Sequence, residues 1–133
     1  QMATLANITI KKANGTTDIA WTGLRRAGQG SKAPAVWRSD TVSTIPGNRP
    51  TFKLSDRPNK DGSTSVMEFQ YDYPILATIN GVETVVNHQR ASGVIPVLQV
   101  ADVTQVNEAV NQFLNLMASA LIRACVVEGS SAN

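Results

Sequence analysis

At Asp102 the hydrophobic period of this 133-residue chain switches from two to about 3.6, and it stays there to Cys125. Before Asp102 the chain is strand-like or punctuated by Gly, Pro, Asn and Ser. Two long strand-type runs, 63–78 and 83–100, meet at Asn80-Gly81, a dipeptide suited to a two-residue hairpin turn because both positions tolerate positive φ. The chain is therefore expected to be α+β, an antiparallel sheet followed by a helical end.

Within 66–73, Val66, Glu68, Gln70 and Asp72 alternate with Met67, Phe69, Tyr71 and Tyr73, so one face of the strand is largely polar and the other wholly apolar. One face of such a sheet is buried and the other is wet. The only segment available to cover the apolar face is the helical one, which leaves a broad polar surface free to bind something.

The other elements follow from the same signals. Residues 4–12 read as a strand with Ile8 and Ile10 on one face, and Asn14-Gly15 turns it into a second strand over 18–22. A loop with Gly23, Gly28, Gly30 and the pair Arg25-Arg26 follows, then a short strand over 35–39 around Trp37 and a further one over 41–45, ended by Pro46-Gly47-Asn48. Residues 51–57 set Thr51, Lys53, Ser55 and Arg57 against Phe52, Leu54 and Asp56, and the run from Pro58 to Gly62 is a turn. Ser92-Gly93 and Pro96 mark bulges or an edge. Asp102 is an N-cap with Gln105 three residues on, and Val106, Val110, Phe113, Leu114, Met117 and Leu121 form one apolar stripe. Ala118-Ser119-Ala120 bends this region into two helices, and Gly129-Ser130-Ser131 ends it.

One domain is enough for a chain of this length with 42% hydrophobic residues. We place an N-terminal hairpin at 3–22, the sheet at 33–100 and the helices at 102–127. The N-terminus lacks the regions of a signal peptide, which points to synthesis and function in a cytoplasm, and Asn7-Ile8-Thr9 and Asn14-Gly15-Thr16 then carry no weight as glycosylation acceptors. The single cysteine, Cys125, reads as a buried helix residue. Residues 11–60 hold ten Lys/Arg against three Asp/Glu, and residues 61–133 two against seven. That split either steers the chain toward a polyanion or merely keeps its loops soluble.

The search for chemistry is negative. One His and one Cys, with no GxSxG, P-loop or HExxH pattern, give no basis for an enzyme or a cofactor. Asn59, Asp61 and Glu68 stand at spacings of a calcium loop, but Arg57 occupies its first position, so the segment reads as a plain turn and no metal site is expected. What remains is the polar face, where Thr51, Lys53, Ser55 and Arg57 would lie near Glu68, Gln70 and Asp72 and near His88, Arg90 and Ser92. These side chains suit phosphate contacts and base-edge hydrogen bonds, with the His ring or Arg plane able to stack on an unpaired base. The same face could equally be only solvated.

The order of parts resembles the coat proteins of the small single-stranded RNA bacteriophages, the leviviruses, over nearly the whole chain. The run from Tyr73 to Thr78 followed by Asn80-Gly81-Val82-Glu83 is similar to the end of the family's sixth strand and the loop after it. Ile95-Pro96-Val97 resembles the end of the last strand, and the run from Phe113 to Ser119 with Ala132-Asn133 resembles the helical tail. The resemblance implies an N-terminal β-hairpin, a five-stranded antiparallel sheet and two C-terminal helices, dimerising into a ten-stranded sheet covered by interlocked helices. It implies self-assembly into an icosahedral shell around a single-stranded RNA genome, and an RNA hairpin bound on the sheet face for translational repression and packaging.

Carried across by strand position, Thr51, Lys53, Ser55 and Arg57 fall on the fifth strand's RNA face, Glu68, Gln70 and Asp72 on the sixth. His88, Arg90 and Ser92 fall on the last, His88 in place of a base-stacking aromatic and Arg90 in place of a polar base contact. Val106, Val110, Phe113 and Met117 would form the dimer interface, and Asn80-Gly81 the contact between dimers. The implied setting is the virion, assembled in the bacterial cytoplasm. A dimeric RNA-binding repressor that forms no shell is the alternative, and a surface adhesion module with a solvated face is a third reading.

Overall fold

The structure, a computed structural model, describes residues 4–26, 34–58, 64–98 and 102–132. Six strands lie side by side in chain order, each antiparallel to the last: β1 (Ile8–Lys11), β2 (Asp18–Arg25), β3 (Ala35–Arg38), β4 (Thr51–Pro58), β5 (Thr64–Ile79) and β6 (Val82–Leu98). Two helices follow, α1 (Val103–Met117) and α2 (Ala120–Glu128). Of the expected turn from Pro58 to Gly62, the residues after Pro58, Asn59 and Asp61 of the calcium-like spacing among them, fall outside the described residues. So do Gly28 and Gly30 of the expected loop.

Local chemistry sets the turns and caps. In the first hairpin Asn14 Oδ1 accepts the N–H groups of Thr16 and Thr17 at 3.0 and 2.9 Å, and Gly15 takes φ +75°. The second turn puts Asn80 at φ 52° and Gly81 at φ 78°, the two left-handed residues of a type I′ turn. Asp102 caps α1, its Oδ1 accepting from Thr104 N–H at 2.9 Å, as the sequence predicts. Ser119 caps α2, which is bent 52° from α1, and Gly129 closes it with φ +74°.

The apolar face is built from β1 to β6 in register. Trp21 stands opposite Ile8, Trp37 opposite Phe52, and Phe52 opposite Tyr71. The Trp21–Tyr71 and Trp37–Phe52 ring centroids are each 5.9 Å apart. The segment before β1 crosses this face: Trp37 Nε1 donates to the Ala6 carbonyl at 2.9 Å, and Gly23 N–H to Asn7 Oδ1 at 3.0 Å. Gly93 lies opposite Phe69 because any larger residue would meet the ring, a Cβ there standing 2.9 Å from Phe69 Cζ.

Three expectations change. Residues 41–45 form no strand. Ser43 turns its hydroxyl onto Glu83 Oε2 (2.6 Å), Arg49 donates to the carbonyls of Ser43 and Thr44, and a single 3-10 turn, Pro46–Asn48, leads into β4. The backbone polar groups there are tied by side chains, and the strand next to β3 is β2, which runs on to Arg25. The bulge in the long hairpin is at Val86, where Ile75 pairs Asn87 and Leu76 pairs Val85, whereas Ser92, Gly93 and Pro96 are in regular register on the edge strand.

The third change matters most. The helices do not cover their own sheet: neither has a buried residue, and of the large apolar side chains described only Trp21, 6% exposed, is buried. The chain exposes 9919 Å². A compact globule of 14.2 kDa exposes about 6,800 Å².

Candidate functional site

β4, β5 and β6 bring all ten polar-face residues onto one surface. Thr51 pairs with Asp72, Lys53 with Gln70 and Ser55 with Glu68, while Arg57 pairs with Val66 at the end of the same face. Across β5, Asp72 pairs with Arg90 and Gln70 with Ser92, and His88 stands opposite Pro74, two residues along from Arg90. The alternation that sorted these residues in the sequence is the pleat of the sheet.

The face is charged in both senses. His88 Nδ1 and Asp72 Oδ1 are 2.9 Å apart, and Arg90 Nε lies 3.6 Å from the same oxygen. Arg57 Nη1 approaches Glu68 Oε1 at 3.8 Å. These pairs are well exposed, so each is held weakly, and water or a ligand can compete for its members. Lys53 has no ion pair among the described residues. Between β4, β5 and β6 the face sinks into a depression of about 320 Å³ bordered by Thr51, Lys53, Gln70, Asp72, Arg90 and Ser92.

Register also adds residues that the sequence reading left out. Arg38 pairs with Thr51 and Val36 with Lys53, which continues the polar face onto β3. The alternation of Val36 and Arg38 around Trp37 was the available signal. Arg38 is engaged with Asp40 at 2.9 Å, and that hydrogen bond, with Arg49 nearby, holds the Asp40 carboxyl below its ordinary value.

At the far end of the hairpin the face is roofed. Ser43 and Asn48 both donate to Glu83 Oε2, at 2.6 and 3.1 Å, which lowers the Glu83 pKa, the Ser43 hydroxyl having the larger effect. Pro50 and Pro74 are buried in the same region. No sequence signal marks a contact between residues 40 positions apart.

The opposite face is apolar and open. Ile8, Ile10, Trp21, Trp37, Phe52 and Tyr71 line a groove of about 220 Å³ with no polar lining. Burial in this group raises the Tyr71 pKa. On α1, Val106 and Val110 are half-buried, Phe113 is 42% exposed and Met117 50%. Asn80 and Gly81 sit at the tip of the long hairpin, beyond the part of β5 that β4 covers.

No family model and no curated protein matches the sequence. Solved structures do. The virus-like particle of Beihai levi-like virus 21 superposes with a TM-score of 0.81 at 20% identity, over 98% of this chain and 99% of that one. The virus-like particle of bacteriophage NT-214 gives 0.80 at 14% identity over 98% and 100%. The bacteriophage GA protein capsid gives 0.74 at 18% over 97% and 98%. The fold the sequence resemblance implied is the one observed: over nearly its whole length, this chain has the fold of the coat proteins of single-stranded RNA bacteriophages.

Proposed function

We propose that the chain is a non-enzymatic coat protein. Two copies join through the unpaired edge of β6 and through α1, and the dimers build an icosahedral shell around single-stranded RNA. The observation that carries this reading is the missing core. An exposed surface of 9919 Å² exceeds that of a compact globule of the same mass by roughly 3,000 Å². Covering that excess on two copies removes roughly 6,000 Å², the scale of an obligate homodimer interface. The open aromatic groove and the unburied stripe Val106, Val110, Phe113 and Met117 supply complementary apolar halves, and β6 supplies a long strand edge that would otherwise invite uncontrolled pairing.

In this reading the polar face of the joined sheets binds an RNA hairpin, which represses translation and marks the genome for packaging. Lys53 and Arg57 contact phosphates, and Thr51, Ser55, Gln70, Arg90 and Ser92 contact sugars and bases. His88 stacks on an unpaired base, while Glu68 and Asp72 orient the cations beside them. The Asn80-Gly81 tip makes contacts between dimers. The protein is then a component of the virion, assembled in the host cytoplasm, with RNA and further copies of itself as its partners. Negative-stain microscopy of the protein expressed alone in bacteria tests the reading. Uniform spheres whose ultraviolet absorbance shows nucleic acid are expected, and small RNA-free species at all salt concentrations would overturn it.

A further inference from the structure

Asp72 is out of place on a surface meant for phosphate. A carboxylate among phosphate contacts is repulsive unless it serves a hydrogen-bond donor on the ligand. Both of its neighbours use the same atom: His88 Nδ1 at 2.9 Å and Arg90 Nε at 3.6 Å approach Oδ1. No described residue donates to Oδ2, and the side chain is 37% exposed. It stands on the border of the depression of about 320 Å³, between Thr51 on one side and Arg90 on the other. That volume is at the lower end of the roughly 300–1,000 Å³ typical of small-ligand sites.

We infer that this depression holds one unpaired guanine of a bound RNA, read by Asp72. The inference rests on the reading of the sheet face as an RNA surface. The chemistry separates the bases. A carboxylate only accepts, and it has lone pairs for two ligand donors beside its contact to His88. The guanine Watson–Crick edge alone presents two adjacent donors, N1–H and the N2 amino group, to match a carboxylate's two oxygens. Next to them on the same edge is the O6 acceptor, which falls toward Arg90, the residue beside Asp72. Adenine and cytosine each put a ring-nitrogen acceptor next to their one amino group, and that lone pair would face the carboxylate. Uracil offers a single N–H between two carbonyl oxygens. The hydroxyls of Thr51 and Ser92 and the Gln70 amide both donate and accept, so they do not discriminate. Asp72 is the specificity-determining group, and Lys53 supplies charge for the adjoining phosphate.

The test uses the dimer, released from purified particles and freed of RNA so that the sheet face is accessible, and RNA hairpins with one common stem and a uridine loop, through which a single guanosine, inosine, adenosine or cytidine is stepped. At one loop position guanosine is expected to bind about tenfold tighter than the others, the effect of one bidentate pair. Inosine, which lacks the N2 donor, loses most of that advantage. Asp72→Asn abolishes the preference, read as the ratio of guanosine to uridine affinity at that position, and its unchanged particle or dimer size shows that the fold is intact. No guanosine advantage at any position, or a preference that survives Asp72→Asn, overturns the inference and leaves RNA binding by the face standing. Failure of the wild-type protein to bind any hairpin at low salt overturns both.

Discussion

Phe113→Ala measures how far the helices depend on a second copy. In one chain the Phe113 side chain is 42% exposed. An aromatic side chain buries about 200 Å² when fully covered, so about 85 Å² remains to be buried. At about 25 cal/mol per Å² that area is worth about 2 kcal/mol per subunit. In a symmetric pair the loss occurs twice, about 4 kcal/mol, or roughly a thousandfold in the dissociation constant. The assay is urea unfolding followed by far-ultraviolet circular dichroism at two protein concentrations, because the midpoint of a dimer that dissociates as it unfolds depends on concentration. Gln112→Ala, on the polar side of the same helix, is the control and is expected to fall within about 0.5 kcal/mol of wild type. A Phe113→Ala loss below about 1 kcal/mol, or one equal to that of Gln112→Ala, would refute the claim that a partner covers this stripe.

Three further outcomes follow from the geometry. Gly81→Ala places a Cβ at φ 78°, which costs about 1 kcal/mol and lowers the thermal midpoint without altering secondary structure. Glu83 accepts from Ser43 and Asn48 and has a carboxyl pKa below its ordinary value of 4.5. Its ionised form therefore stabilises the fold above the unfolded-state value, and this contribution is lost as pH falls through the lower folded-state value. The difference in melting temperature between wild type and Glu83→Gln is expected to shrink as pH is lowered from about 6 to about 3. Lys53→Gln removes one phosphate contact, so the slope of log K against log salt for single-stranded RNA becomes shallower by about 0.7 for each cation released, read by fluorescence anisotropy. An unchanged slope would take Lys53 off the RNA path.

The polar face was legible on β4 and β5 because a strand's period of two is strict, which gave the sidedness of Glu68, Gln70 and Asp72. Counted from Asn80-Gly81 alone, His88, Arg90 and Ser92 would pair with Tyr73, Tyr71 and Phe69, and it is the bulge at Val86 that turns them onto the polar face. The cap at Asp102 and the stop at Gly129 were legible for a similar reason, since each satisfies groups within a few residues, whereas Ser119 was legible as a bend and not as a cap. The stretch 41–45 misled because its Val and Thr content suits a strand while its polar groups are tied by Ser43, Asn48 and Glu83, a contact over 40 positions. The bulge at Val86 gave no sign, having neither Gly nor Pro. The helical stripe reads as packing surface in the sequence, but local sequence does not say what it packs against. That the chain's own sheet stays open emerges only from the fold, and it turns an ordinary amphipathic helix into evidence for a second copy.

The central claim, that this fold is completed only by another copy of itself, is tested most directly by native mass spectrometry of the purified protein across a dilution series. The account predicts no folded species at 14.2 kDa, a smallest folded species of twice that mass, and large RNA-containing particles above it. A folded, soluble 14.2 kDa monomer that persists at micromolar concentration, with its apolar groove open to water, would contradict it.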